Sequence, residues 1–111
     1  MQYCIVGYSW CPHFLDARKR LLDESSNVYA VELQCDDPDP DRIRNEVQHL
    51  IGTRRKVGLP AETSPQIVCR NSNIAICIPG ESNLNAIDNL SVYLEHVSNQ
   101  KRGSYRLYML R

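Results

Sequence analysis

A cysteine that stands directly before a proline, just after an apolar run, constrains this chain more than any other stretch. The apolar run at 3–6 is interrupted at 7–9, and Cys11 and Pro12 follow after one more residue. Proline is favoured in the first helical turn, because its missing N–H would have had no intrahelical partner. The sequence therefore predicts that a strand over 2–7 ends here and that a helix begins at Pro12. Cys11 would then lie at the positive end of this helix, which favours thiolate over thiol.

Hydrophobic periodicity predicts the elements that follow. After a helix at 12–25, we expect a strand at 28–33, a helix at 40–51, strands at 66–70 and 74–78, and a helix at 83–98. The turn at 71–73 suits an antiparallel hairpin, and the tail at 104–111 is either an added edge strand or a fourth helix packed on the sheet. The order β-α-β-α-β-β-α predicts an α/β fold with one mixed four-stranded sheet and helices on both faces.

Each predicted helix carries an apolar stripe that should enter the core. The stripes comprise Phe14, Leu15, Arg18, Leu21 and Leu22 on the first helix, Ile43, Val47, Leu50 and Ile51 on the second, and Leu84, Ile87, Leu90, Leu94 and Val97 on the third. We expect Arg18 to lay its stem along the first stripe and Ser82 to cap the third helix.

Charge and length exclude several classes of function. The 111 residues suit a single domain over 1–111 and carry 13 basic and 13 acidic side chains, so charge recommends neither nucleic acid nor an acidic membrane as a partner. We expect no signal peptide, because no basic region is followed by a long apolar region near residue 1, and no apolar run is long enough to span a bilayer. We therefore expect a cytoplasmic protein, and we expect it to be a monomer.

The five cysteines match no zinc pattern, and their odd number argues against a full disulfide framework. Cys4, Cys69 and Cys77 lie in apolar strand candidates and are expected to be buried as small hydrophobic side chains. Cys35 precedes an acidic loop, and nothing near it marks it as reactive. The histidines, at positions 13, 49 and 96, do not form a metal set by spacing, so no metal site is predicted.

The stretch Tyr8-Ser9-Trp10-Cys11-Pro12-His13-Phe14, together with the predicted element order, resembles the active-site segment of glutaredoxins, which have a thioredoxin-like fold. In that family a Cys-Pro-aromatic-Cys sequence or a monothiol variant starts the helix. The resemblance implies that Cys11 is the catalytic thiol, that Pro12, His13 and Phe14 border a glutathione site, and that Phe14 makes the site monothiol. The lysine that usually precedes the cysteine is missing here. The helix N-terminus, His13 or a basic group from the loop at 54–56 would then have to stabilise the thiolate.

Two later segments extend the resemblance across most of residues 2–98. The stretch 63–67 is similar to the Thr-Val-Pro-Gln-hydrophobe segment of glutaredoxins, which implies a cis bond before Pro65 and places Thr63 and Ser64 at the site. The backbone of Ser64 is expected to pair with extended glutathione, as a strand edge would. A proline that merely opens an edge strand is the alternative.

The stretch 78–84 is similar to the Gly-Gly-Cys-Asp-Asp-Leu region of the family. Gly80 matches the second glycine, and Ser82 stands where an aspartate often receives the α-amino group of glutathione. Glu81 is a substitute partner for that ammonium, and Ser82 is equally well explained as a plain helix cap.

The segment that starts at Gly52 also resembles the glutaredoxin sequence before Thr-Val-Pro, where a basic residue pairs with the glycine carboxylate of glutathione. Arg54 and Arg55 are the expected partners, and Lys56 stands beside them. Residues 56–62 look like an insertion, which leaves open which of the three faces the groove. A solvated basic loop is the alternative.

These observations support three hypotheses. The first is a monothiol, glutathione-dependent thiol–disulfide oxidoreductase that acts through Cys11, with glutathione as co-substrate and disulfide-bonded or glutathionylated proteins as partners. The second is a carrier in which two copies share a [2Fe–2S] cluster, ligated by each Cys11 and by two glutathiones. The third is a binding module on the same fold with an idle thiol, since fold alone does not determine function.

Overall fold

The computed structural model describes residues 1–34, 40–51, 64–71, 74–100 and 106–109. The elements in chain order are β1 (Gln2–Tyr8), α1 (Pro12–Glu24), β2 (Val28–Leu33), α2 (Pro40–Ile51), β3 (Gln66–Arg70), β4 (Ile74–Pro79), α3 (Gly80–Asn85), α4 (Leu90–Gln100) and β5 (Arg106–Met109). The predicted strands and the first two helices are present, and their bounds differ from the predictions by no more than a residue. No helix within the described ranges combines the length and the apolar character that crossing a membrane requires.

The strands form one mixed sheet in the order β2-β1-β3-β4-β5. β1 is parallel to β2 and antiparallel to β3, and β3 and β4 form the predicted antiparallel hairpin. The prediction of four strands is wrong by one, because β5 pairs in parallel with β4. Of the two alternatives for the tail, the edge strand is the one found. Without β5, the outer edge of β4 would present a row of unpaired backbone groups.

The two faces of the sheet are covered by different helices. Phe14 of α1 packs against Gly7, which lies on one face of β1. Arg70 of β3 donates a hydrogen bond to the carbonyl of Leu50 in α2, and its register partner Gln2 accepts another from it. Because side chains alternate along a strand, Gln2 and Gly7 lie on opposite faces. Helices α1 and α2 therefore enclose the central strands from opposite sides.

The stripe predicted for α1 is wrong at two positions. Leu15 and Leu22 are exposed, whereas Ala17, which was not predicted, is buried with Phe14 and Leu21. Successive helical residues are about 100° apart around the helix axis. When positions 14, 17 and 21 face the core, Leu15 and Leu22 are therefore turned towards solvent. Arg18 lies over the ring of Phe14, with its guanidinium carbon 5.5 Å from the ring centroid, as expected for a stem along this seam. The buried stripe predicted for α2 is confirmed in full.

The single helix predicted at 83–98 is wrong, because the chain forms two helices there. α3 ends at Asn85, and Asn89 then starts α4 by accepting the N–H of Val92 on its side-chain oxygen. The guanidinium of Arg20 in α1 donates to the carbonyls of Leu84 and Ile87, which satisfies backbone groups exposed at the break. The break therefore fixes α3 against α1.

Candidate functional site

Cys11 occupies the turn between β1 and α1. It is the N-cap residue of α1, with extended backbone angles, and its N–H donates to the carbonyl of Tyr8 at 3.0 Å. Its thiol makes no capping hydrogen bond, so the sulfur is not committed to the helix. Cys11 keeps 7% of its surface exposed, compared with 1% or less for Cys4, Cys69 and Cys77. Among the described cysteines, Cys11 thus has the best access to solvent, although that access is narrow.

Ser64, which lies just before β3, contacts the sulfur of Cys11. The Sγ of Cys11 lies 3.9 Å from the backbone oxygen of Ser64, and the Ser64–Pro65 bond is cis, as the sequence predicted. The hydroxyl of Ser64 accepts the N–H of Tyr8 at 3.3 Å, which ties the segment before β3 to the end of β1. The carbonyl of Pro65 accepts the N–H of Gly80 at 2.8 Å. These contacts bring the start of β3 and the start of α3 beside the thiol.

Gly7 allows this approach, whereas in the sequence it is recognisable only as part of the interruption of the apolar run at 7–9. A Cβ at Gly7 would lie 2.4 Å from Cδ2 of Phe14 and 2.9 Å from Oγ of Ser64. Real Cβ atoms essentially never come that close to other heavy atoms. The missing side chain therefore makes the space in which Phe14 and Ser64 meet β1.

A groove of about 310 Å³ is lined in part by Ser64, whose backbone oxygen contacts the Cys11 sulfur, although Cys11 itself does not line it. Its described lining joins the residue after Pro12, the residue before cis-Pro65 and the first residues of α3; the residues are His13, Ser64, Gly80, Glu81, Ser82 and Asn85. Gly80 has a φ of 82°, a left-handed conformation that favours glycine, where β4 turns into α3. All of these except Asn85 had been assigned to the site from the sequence.

Glu81 pairs with His13 across this groove. The Nδ1 of His13 lies 2.9 Å from Oε1 of Glu81, where the imidazole donates and the carboxylate accepts. The two residues are 68 positions apart in the chain. Their contact joins the first turn of α1 to the first turn of α3, and no sequence pattern could have indicated it.

The remaining predicted site residues either do not line this groove or lie outside the described residues. Phe14 is fully buried in the core, so its assignment to the substrate site is wrong, because its ring fills the space over Gly7. Pro65 is buried, and Pro12 is exposed at the start of α1. The expectation that Ser82 caps a helix is also wrong, because α3 begins earlier and Pro79 is its N-cap. Arg54, Arg55 and Thr63, with Lys56 and the insertion at 56–62, lie outside the described residues, as does Cys35.

Trp10 stands beside the thiol on the solvent side. Its ring stacks on that of Tyr8, with centroids 5.3 Å apart and an interplanar angle of 7°, and 55% of the residue is exposed. It is the only tryptophan in the chain. The fluorescence of this protein therefore reports on the surroundings of Cys11.

The other described cysteines are held as neutral thiols. Burial raises the pKa of Cys4, with a smaller opposing effect from Arg70. Burial, and then the neighbouring thiols of Cys4 and Cys77, raise the pKa of Cys69, and burial raises the pKa of Cys77 to about 12. A buried thiolate is disfavoured because the low-dielectric interior solvates it poorly. The prediction that these three cysteines are buried is confirmed.

We expect the folded protein to lose stability as pH rises above about 9. Between the ordinary thiol pKa of 9.0 and the raised value of about 12 for Cys77, the unfolded chain releases a proton that the folded chain keeps. Each such thiol lowers the free energy of unfolding by up to about 1.4 kcal/mol per pH unit. The free energy of unfolding, measured with urea at pH 8 to 11, should therefore fall less steeply with pH for Cys77→Ala than for the wild type. The variant His96→Ala, at an exposed position, should show the same pH dependence as the wild type. Equal slopes for Cys77→Ala and wild type would contradict this account.

Within the part of the chain that the structure describes, no group of three or more His, Cys, Asp or Glu side chains is placed to hold a metal ion. A cluster at Cys11 would need thiolates from outside this chain, as the two-copy carrier hypothesis already assumes.

No protein-family model, no curated protein and no solved structure matches this chain. The function is therefore inferred from the geometry of the site and from the motif resemblance.

Proposed function

We propose that this protein is a glutathione-dependent thiol–disulfide oxidoreductase that uses Cys11 as its single active-site thiol. The observation that carries the proposal is the position of the Cys11 sulfur. It lies at the start of a helix of 13 residues, 3.9 Å from the backbone oxygen of Ser64 and beside the groove formed by His13, Ser64 and Glu81. These are the elements that a thiol needs to exchange with a bound disulfide: a cationic helix end, a backbone edge and an adjacent groove.

The proposal includes the fold family. A parallel β1–β2 pair, an antiparallel β1–β3–β4 set and a cis proline opposite a Cys-Pro helix start support a thioredoxin-like architecture. The fifth strand and the division of the last helix are additions to the pattern expected for glutaredoxins. Neither addition separates Cys11 from Ser64 or displaces Ser64 and Gly80 from the groove.

The reaction divides into two exchanges. The Cys11 thiolate attacks the glutathione sulfur of a mixed disulfide, a new S–S bond forms, and the substrate leaves as a thiolate that takes a proton from water. A second glutathione, as thiolate, then attacks the glutathione sulfur on Cys11, which releases oxidised glutathione and restores the Cys11 thiolate. No cysteine follows Cys11 within the first turn of α1, so this route needs the second glutathione.

The direct test is to map which cysteine forms an adduct with oxidised glutathione. We expect mass spectrometry of the native protein to place one glutathione on Cys11 and none on Cys69 or Cys77, because burial keeps the last two protonated. Reduced glutathione should then remove the adduct. The proposal is wrong if Cys11 remains unmodified while the unfolded protein is modified at all its cysteines under the same conditions.

A binding module with an idle thiol is the second candidate, and one observation favours it. Cys11 exposes only 7% of its surface, which restricts the approach of a disulfide to its sulfur. The two candidates differ in the rate of the adduct reaction. In a binding module, Cys11 would be alkylated no faster than free cysteine, whereas in an enzyme it would be alkylated faster at neutral pH.

A further inference from the structure

The contact between His13 and Glu81 joins two side chains of very different accessibility. The Glu81 side chain is 18% exposed and forms part of the groove wall, whereas the His13 side chain is 66% exposed. The carboxylate is therefore fixed in the site, and the imidazole reaches it from solvent. His13 can turn away into water at little cost, because an exposed pair of this kind contributes little net stability.

Glu81 also sets the charge of the groove. Of the described residues that line it, Glu81 is the sole Asp, Glu, Lys or Arg; the rest are His13, Ser64, Gly80, Ser82 and Asn85. A carboxylate in a partly enclosed site favours a cation beside it and disfavours a second anion. Among the described residues, the side chain that donates a hydrogen bond to this carboxylate is that of His13, at 2.9 Å.

We propose that His13 is an intramolecular competitor for the Glu81 carboxylate, and that a ligand bound in the groove replaces it with a primary ammonium group. This inference rests on the proposed function, and it adds which charged group of glutathione binds in this groove. Of the charged groups of glutathione, its ammonium is directed to Glu81, and the carboxylate of its glycine end is directed away from this part of the groove. His13 is then a residue that weakens binding, although it stands beside the catalytic thiol.

The exchange follows from the strengths of the two contacts. A primary ammonium carries three donors and makes a charge-assisted hydrogen bond with a carboxylate, which is among the stronger contacts in proteins. The ammonium of a ligand that is also held along Ser64 arrives with much of its freedom already lost, so its effective concentration near Glu81 is high. His13 has no such second attachment, because most of its side chain faces water.

Calorimetric titration with two unreactive ligands tests this directly. S-methylglutathione keeps the ammonium, and N-acetyl-S-methylglutathione lacks it; neither can exchange with Cys11. At fixed salt, we expect His13→Ala to bind S-methylglutathione roughly twofold to fivefold more tightly than the wild type, the value of an exposed ion pair. Glu81→Gln should bind it roughly tenfold more weakly, and removing His13 as well should then change nothing further. Binding of the N-acetyl ligand should be unaffected by Glu81→Gln.

Matched controls separate this effect from general changes of charge or fold. His96→Ala and Glu95→Gln make the same chemical changes at exposed positions on α4 and should leave both affinities at the wild-type value. Unchanged or weaker binding of S-methylglutathione by His13→Ala would overturn the inference while leaving the proposed function in place. Failure of every variant to bind either ligand would overturn both the proposed function and this inference.

Discussion

Replacing Cys11 by serine is expected to reduce turnover of a glutathione mixed disulfide to the rate of glutathione alone in solution. A hydroxyl does not ionise at neutral pH and does not form the S–S bond on which both exchanges depend. Loss of the nucleophile in other enzymes costs a thousandfold or more, and roughly that loss is expected here. The assay would follow reduction of the glutathione–cysteine mixed disulfide by glutathione at neutral pH.

The fold should survive this change, which makes the result easy to interpret. Cys11 is the N-cap of α1 and makes no side-chain capping bond, whereas serine is among the preferred N-cap residues. Cys11→Ser is therefore expected to unfold at the same or a higher urea concentration than the wild type. Cys35→Ser serves as the matched control, because it removes a sulfur at another position and should retain full turnover. Retained turnover in Cys11→Ser would end the proposed mechanism.

Replacing Gly7 by alanine is expected to cause a large loss of stability for the addition of a single methyl group. The added Cβ would lie 2.4 Å from Cδ2 of Phe14, whose side chain is fully buried and has no solvent to move into. Overpacking of a core usually costs about 1–3 kcal/mol, and this site should reach or exceed the upper end of that range because Ser64 blocks a second direction at 2.9 Å. Urea unfolding followed by far-UV circular dichroism measures the loss.

A second variant identifies the cause of that loss. Phe14→Leu removes ring atoms next to Gly7, so the pair Gly7→Ala and Phe14→Leu should be more stable than the sum of the single changes predicts. Ser9→Ala, two positions further along the chain, should change stability by less than about 0.5 kcal/mol. Strict additivity of the two core substitutions would show that Gly7 is needed for another reason.

Local signals in the sequence predicted the frame of this fold well. Pro12 placed the start of α1, and the apolar spacing of Ile43, Val47 and Leu50 defined both the extent and the buried face of α2. Alternation and turn residues gave the hairpin of β3 and β4 with its correct pairing. Each of these signals acts over a few residues, where backbone preferences and periodicity decide the outcome.

The failures came where distant contacts decide. Ile87 and Leu90 continue a helical stripe, yet Arg20 from another helix and the cap at Asn89 stabilise a break between them. Phe14 was placed in the groove by resemblance, but the space above Gly7 takes its ring into the core. The pairing of His13 with Glu81 depends on the packing of α3 against α1 and has no local signature.

The hydrogen bond from the N–H of Gly80 to the carbonyl of Pro65 has a consequence for how a ligand is received. It continues the β3–β4 pairing by one residue pair beyond Gln66 and Pro79. The start of β3 and the start of α3, which form two sides of the groove, are therefore held together through the sheet. A ligand that binds there meets backbone that is already in position, so little backbone freedom is lost on binding. Selectivity at this cleft should then come from fit and charge, with no induced closure needed along that wall.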